Sequence, residues 1–211
     1  PAPSDENVVY AVIGAGYING FKYFKGNFIL RSSNKGQTWV EKNLPDNDPS
    51  WAYLSWHAFI TSVDPNDANT VYIGGLDVFK SVNGGNSWYH VSDWAAMYGG
   101  GDDYVHADQH VQDYNFNSSN EMILGTDGGV FYTTSADINY PVFEEKNHNF
   151  NTLQFYTCAM SPLSGDDTYV GGLQDNGTLY YTGSPISIND MIDGGDGAFC
   201  FIDQDEAEIM I

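Results

Sequence analysis

The sequence predicts an all-β protein built from repeated antiparallel sheets, and three observations lead to this prediction. The composition is rich in strand and turn formers, with 23 Gly, 15 Tyr and 12 Phe among 211 residues. No segment keeps a helical period of apolar residues between capping signals. A unit of two strands recurs along the chain, and such a recurrence is typical of repeat architectures.

The repeat consists of a polar start, an alternating strand, a short turn and a second strand. Its four copies cover residues 56–75, 107–126, 153–172 and 195–211. Their turns are marked by Asp64, Asn115, Ser161 and Asp203. Marker spacings of 51, 46 and 42 residues, with about four short strands in each, are typical of β-propeller blades. We expect four-stranded antiparallel blades near residues 1–50, 51–102, 103–148 and 149–190, and the start of a next blade at 191–211.

Both ends of the chain match parts of a repeat. Residues 8–14 match the second strand of an earlier repeat, and the chain stops just inside another second strand. We therefore expect a fragment of a propeller of six to ten blades, or of a double propeller, with further blades in the same polypeptide. A closed four-bladed ring is the open alternative.

Two segments follow the pattern S-x-N-x-G-x-[ST]-W, at residues 32–39 and 81–88. On these residues the sequence resembles the Asp-box (BNR) propellers, which include sialidases, sortilin-type receptors and xyloglucanase-type glycosidases. The resemblance implies a structural hairpin turn between the third and fourth strands, whose polar side chains bond to its own backbone while Trp packs inward. The residues concerned are Ser32, Asn34, Gly36, Thr38, Trp39, Ser81, Asn83, Gly85, Ser87 and Trp88.

One edge of the predicted blades collects polar residues. If the strands of a blade alternate in direction from the axis outward, the starts of inner strands share an edge with the turns between second and third strands. The crossovers from one blade to the next also lie on this edge, opposite the Asp boxes. We call it the crossover edge. Four successive inner strands begin there with a polar residue, and we expect these to ring a common mouth: His57, Asp108, Gln154 and Asp196.

Other side chains of the crossover edge suit a saccharide. The turns between second and third strands supply Asp127, in T-D-G-G, and Asp175 and Asn176, in Q-D-N-G. His110 lies two residues along its inner strand from Asp108. The crossovers supply Trp51, Trp56 and Trp94. Carboxylates and amides beside aromatic rings bind sugar hydroxyls and cover the apolar faces of sugar rings, so we predict a ligand-binding face.

The net charge of the chain argues against some kinds of binding partner. The chain has 28 acidic and 7 basic residues and a formal net charge of −21. This charge repels phosphate backbones and anionic lipids, which argues against nucleic acid as a partner. No apolar run approaches the roughly 18 residues of a membrane-spanning helix, so membrane insertion is not expected. Our leading hypothesis is an extracellular or cell-surface recognition module that binds a polysaccharide or an extracellular protein; the export is implied by the resemblance.

Two other functions stay open. The T-D-G-G turn is similar to the aspartate-bearing turn of xyloglucanase-type glycosidases, in which a carboxylate from each of two propellers flanks the scissile bond. This resemblance makes Asp127 a candidate catalytic carboxylate, and Asp175 and Asp196 are the candidates for the partner that two-carboxylate hydrolysis needs. A sialidase is disfavoured because the only arginine is Arg31, whereas that chemistry needs an arginine cluster. The third hypothesis is a structural spacer between other domains.

The sequence assigns no metal site. His106 and His110 lie four residues apart, which on a strand separates them by about 13 Å, too far for one ion. We expect hydrogen-bonded histidines at the mouth instead. Ca²⁺ is an open alternative as a cofactor, because the carboxylates of the crossover edge have few basic residues to pair with.

Overall fold

A computed structural model describes residues 1–14, 17–18, 22–23, 27–45, 51–101, 103–150, 153–182 and 190–209. The single short helix, among these residues, is α1 (Ala96–Gly99). The strands are β1 (Val9–Ile13), β2 (Tyr17–Ile18), β3 (Lys22–Tyr23), β4 (Phe28–Ser32), β5 (Val40–Glu41), β6 (Ile60–Val63), β7 (Val71–Gly74), β8 (Val78–Ser81), β9 (Tyr89–His90), β10 (Gln109–Tyr114), β11 (Met122–Thr126), β12 (Gly129–Thr133), β13 (Glu144–Glu145), β14 (Phe155–Met160), β15 (Thr168–Leu173), β16 (Thr178–Thr182) and β17 (Asp190–Asp193).

The strands pair in chain order within separate antiparallel sheets. Three sheets have four strands each, in the orders β6-β7-β8-β9, β10-β11-β12-β13 and β14-β15-β16-β17. A three-stranded sheet, β1-β4-β5, precedes them, and β2 pairs with β3 as a hairpin between its first two strands. This sheet organisation matches that of propeller blades and confirms the all-β prediction.

The four turn markers make the same backbone contact, which shows that the repeats are structurally equivalent at this turn. Each marker donates its backbone N–H to a carbonyl six or seven residues later. The pairs are Asp64 to Thr70 (2.9 Å), Asn115 to Glu121 (3.0 Å), Ser161 to Thr168 (2.9 Å) and Asp203 to Ile209 (3.0 Å). In the last repeat the expected inner strand is reduced to a bridge at Ile202.

The chain divides into two compact units, residues 1–148 and 149–211. In the first unit β6 lies beside both β1 and β10. The main core of this unit packs Tyr72 and Val78 of one sheet against Leu124 and Phe131 of the next. In the second unit Val170 packs against Cys200 and Ile202. In each unit the apolar core therefore forms between one sheet and the next segment of the chain.

The two S-x-N-x-G-x-[ST]-W segments form turns with matching hydrogen bonds. The hydroxyl oxygen of Ser32 accepts the backbone N–H of Gly36 (2.9 Å), and Asn34 Oδ1 accepts that of Thr38 (2.9 Å). The same atoms of Ser81 and Asn83 accept the backbone N–H groups of Gly85 and Ser87, each at 2.9 Å. The turns connect β4 to β5 and β8 to β9, the third and fourth strands of the repeat.

The tryptophans of the two turns differ. Trp88 is partly buried and donates its Nε1–H to the Asn43 carbonyl of the preceding sheet (2.7 Å). Trp39 is 40% exposed, so the inward packing that the resemblance implied is wrong for this residue. The Trp39 ring lies against its own turn instead, with Cζ2 3.3 Å from the position that a Cβ atom at Gly36 would take. No described helix has the length and apolarity that a bilayer span requires.

Candidate functional site

Three polar side chains of the crossover edge meet in the first unit. His57 Nε2 lies 3.0 Å from Asp127 Oδ2, and His110 Nε2 lies 2.6 Å from Asp127 Oδ1. The two imidazole rings are nearly perpendicular, with centroids 5.0 Å apart. Their side chains stay partly open to solvent, at 41% for His57, 38% for His110 and 31% for Asp127. We call this trio the imidazole–carboxylate cluster.

Local backbone features bring the three side chains together. Asp127 lies in the turn between β11 and β12. His110 occupies a register shift in the pairing of β10 with β11, and such a bulge redirects a side chain out of the regular alternation. His57 precedes β6 in the neighbouring sheet, in a turn whose backbone N–H bonds to the Leu54 carbonyl (2.8 Å). The cluster thus joins two sheets through three separate backbone irregularities.

Two hydrogen bonds hold the turn that carries Asp127. The Asp127 backbone N–H donates to the Asp108 carbonyl (3.3 Å), and the Gly128 N–H donates to Thr126 Oγ1 (3.1 Å). A Cβ atom at Gly128 would lie 2.0 Å from Cδ2 of His106, so this close approach requires glycine. His106 therefore packs on the turn, and the histidine that joins His110 in the cluster is His57.

The two carboxyl groups of the site have opposite pKa shifts. Burial acts to raise the pKa of Asp127, but the hydrogen bonds and charges of His57 and His110 outweigh it, so the pKa lies below its ordinary value. Burial raises the pKa of Asp108, and the nearby Asp127 carboxylate adds to this rise. Asp108 Oδ1 is buried with no hydrogen-bond partner among the described residues, and its backbone has a positive φ of 63°. The site thus combines a readily ionised carboxyl with one that resists ionisation.

The second unit holds a comparable group of residues. Asp196 Oδ1 accepts the backbone N–H of Asp175 (2.9 Å) and lies 3.3 Å from Gln174 Nε2. The backbone N–H of Gln174 donates to the Gln154 carbonyl (2.9 Å), as that of Asp127 does to Asp108. Asn176 donates its side-chain N–H to the Gln174 carbonyl (2.9 Å). His57 and Asp108 lie together in one unit, and Gln174 contacts both Gln154 and Asp196 in the other. A common ring of all four stays a prediction.

The three tryptophans predicted at the crossover edge have different environments. Trp56 is 73% exposed, and its ring centroid lies 5.6 Å from that of His57. Trp94 is half-buried and faces Tyr98 at 6.0 Å. Trp51 is only 2% exposed and packs in a core cluster with Ile73, so its prediction as an open ligand platform is wrong. The Trp51 indole is buried among Ile29, Ile73 and Phe79, which removes its apolar surface from water.

No protein-family model matches the chain. A xyloglucanase from Hypocrea jecorina (strain QM6a) is 28% identical over 158 residues, which are 69% of this chain and 18% of that protein. Among solved structures, the GH74 xyloglucanase from Xanthomonas campestris has a TM-score of 0.52 at 17% identity, over 100% of this chain and 33% of that one. The GH74 enzyme of Niastella koreensis has a TM-score of 0.48 at 16% identity, over 99% of this chain and 32% of that one.

The likeness to the Xanthomonas structure decides the fold. The chain has a β-propeller fold. It spans 18% of the length of the Hypocrea relative and 33% of the Xanthomonas chain, so it corresponds to a minor part of each.

Proposed function

We propose that the chain is part of an exported, Asp-box-type propeller protein that binds a neutral polysaccharide at the crossover edge of its first unit. The observation that carries this proposal is the imidazole–carboxylate cluster, with the exposed Trp56 ring beside it. A partly open carboxylate accepts paired hydroxyl groups, and a flat exposed indole covers the apolar face of a sugar ring. The 28% identical relative is a xyloglucanase, which supports a β-glucan as the ligand to try first.

Binding of xyloglucan oligosaccharides to the whole chain, measured by calorimetry, tests the proposal. Trp56→Ala removes the stacking surface and should weaken binding at least about tenfold, as expected for the loss of one aromatic contact that the sugar buries on binding. Phe116→Ala is the matched control: Phe116 is 88% exposed but follows β10 at the opposite edge, and its loss should leave the affinity unchanged.

Two results would contradict the binding proposal. Equal weakening by Trp56→Ala and Phe116→Ala would show that the crossover edge is not the binding surface. Absence of binding to xyloglucan and to a panel of other neutral glycans would favour the structural spacer instead.

A glycoside hydrolase is the second candidate, and a specific observation favours it. Asp108 and Asp127 contribute two carboxyl groups to one partly open site, and hydrolysis of a glycosidic bond uses a pair of carboxyl groups. Release of reducing sugar from xyloglucan tests this candidate. Asp127→Asn should abolish the release while leaving oligosaccharide binding within a few-fold of the original. No release by the unsubstituted protein would leave the binding function alone.

A further inference from the structure

We propose that His57, His110 and Asp127 form a binding site for a divalent transition-metal ion, with Zn²⁺ as the ion that fits best. The candidate ligand atoms, an imidazole nitrogen from each histidine and a carboxylate oxygen, all lie within 4.8 Å of one another. In a tetrahedral zinc site with bonds of about 2.0–2.1 Å, neighbouring ligand atoms are about 3.3 Å apart. The observed N–O separations, 3.0 Å to Oδ2 and 2.6 Å to Oδ1, are shorter than that value, so the ligand atoms need to move apart by less than about 1 Å to admit the ion.

The orientation of the rings supports the proposal. Both histidines direct Nε2 toward the same carboxylate, one toward each oxygen, and their ring planes cross at 86°. A small rotation of each side chain would place the two nitrogens and one carboxylate oxygen around a common centre. The backbone positions need not move, because the turn of Asp127 is held by Asp108 and Thr126 and the bulge of His110 by the pairing of β10 with β11.

Exposure and charge also favour a cation. The three side chains are 31–41% exposed, so an ion can enter from solvent and keep a coordination position for water or for an added ligand. Asp108 adds a second carboxyl group next to the cluster, with one oxygen buried and unpaired among the described residues. The net charge of −21 further raises the local concentration of cations.

The donor set discriminates between metals. Two imidazole nitrogens and one carboxylate are ligands typical of Zn²⁺ and its transition-metal neighbours. Ca²⁺ takes six to eight oxygen ligands, and the cluster supplies only one carboxylate. The metal site goes beyond the proposed saccharide function; the two share the Asp127 carboxylate, and the metal is tested with no saccharide present.

Titration of the whole chain with Zn²⁺ after treatment with a chelator, followed by calorimetry, tests the site without any saccharide present. We expect one Zn²⁺ per chain and no heat from Ca²⁺ at the same concentrations. His57→Ala, His110→Ala and Asp127→Asn should each weaken Zn²⁺ binding by about 100-fold or more, because loss of an outer partner alone already costs 10–100-fold. His90→Ala is the matched control and should bind Zn²⁺ like the unsubstituted chain.

A gain-of-signal variant protects the test against variants that fold poorly. His110→Cys replaces a nitrogen ligand by a thiolate, so its Co²⁺ complex should show a sulfur-to-cobalt charge-transfer band that the unsubstituted chain lacks. A stoichiometry other than one, unchanged affinity in Asp127→Asn, equal loss in His90→Ala, or a His110→Cys complex without this band would each overturn the proposal.

Discussion

Two turns of neighbouring sheets place an aspartate beside histidine and tryptophan, yet one site is closed and the other open. The site that we call closed, because its carboxylate is buried, comprises Asp77, Phe79, Trp51 and His90, and the His90 side chain is 40% exposed. Asp77 is 5% exposed at its side chain; one oxygen lies 3.3 Å from His90 Nε2, and the other accepts the Trp94 backbone N–H (2.8 Å). His90 stacks on Phe79 with centroids 4.5 Å apart, and Phe79 shares a core cluster with Trp51.

The open site comprises Asp127, His57, His110 and Trp56. Its carboxylate has an imidazole nitrogen on each oxygen and remains 31% exposed, and its tryptophan is 73% exposed. Both aspartates occupy the turn between the second and third strands of a sheet. Position in the sheet and residue type therefore do not determine whether such an aspartate is buried or partly exposed; the packing around its turn does.

We expect the largest difference in the free energy of unfolding between substitutions of Trp51 and Trp56. Trp51→Ala should lower the free energy of unfolding by about 4 kcal/mol, because it empties a buried site between core residues. Trp56→Ala should change it by less than about 0.5 kcal/mol, because its ring is in solvent. Urea unfolding followed by circular dichroism measures both. Similar losses in the two variants would remove the distinction between closed and open sites.

Substitution of the two aspartates should also lower the free energy of unfolding more at the closed site than at the open one. Asp77→Ala should lower the free energy of unfolding by about 3 kcal/mol, since it leaves the Trp94 N–H and His90 without their buried acceptor. Asp127→Ala should cost less than about 1 kcal/mol, because its ion pairs are partly exposed. The same urea experiment decides this, with unchanged spectra at zero urea as the control for folding. A larger loss in Asp127→Ala would mean that the open cluster is structural.

Lys80, on the same strand as Phe79, tests how far burial lowers the pKa of a charged group in this sheet. Its ammonium bonds to the Ala136 and Ile138 carbonyls at 2.6 Å, and burial lowers its pKa to about 8, against the opposing pull of Asp137 and Asp64. Between pH 8 and the unfolded pKa of 10.5 the folded state therefore binds fewer protons, and stability rises with pH. We expect a rise of about 2 kcal/mol from pH 7 to 9.5.

Lys80→Met is the control for that pH dependence. This variant has no amine to titrate, so its free energy of unfolding should lack the rise between pH 7 and 9.5, whatever its absolute stability. Parallel pH profiles for the two proteins would show that Lys80 keeps an ordinary pKa. Measurements stay below pH 10, because burial also raises the pKa of Tyr72 and of Tyr114 above the usual tyrosine value.

The repeat pattern predicts that every residue of the open site lies at the crossover edge, but it does not predict which of them meet. His106 and His110 are close in sequence, whereas the structure pairs His110 with His57 of the preceding sheet. The usable signal was the equivalence of His57 with Asp108 at the starts of neighbouring inner strands. What was missing was the bulge at His110, which regular strand alternation does not reveal.

The sequence by itself determined the repeat, the antiparallel sheets and the edge to which each turn belongs. These follow from local patterns: alternation, turn residues and a recurring spacing that the backbone obeys wherever the repeat occurs. Only the tertiary structure decided that Asp127 meets two histidines while Asp77 is buried with one, and that Trp51 lies in the core while Trp56 lies in solvent. Such contacts join segments distant in the chain, and they depend on packing between sheets, for which no local pattern carries a signal.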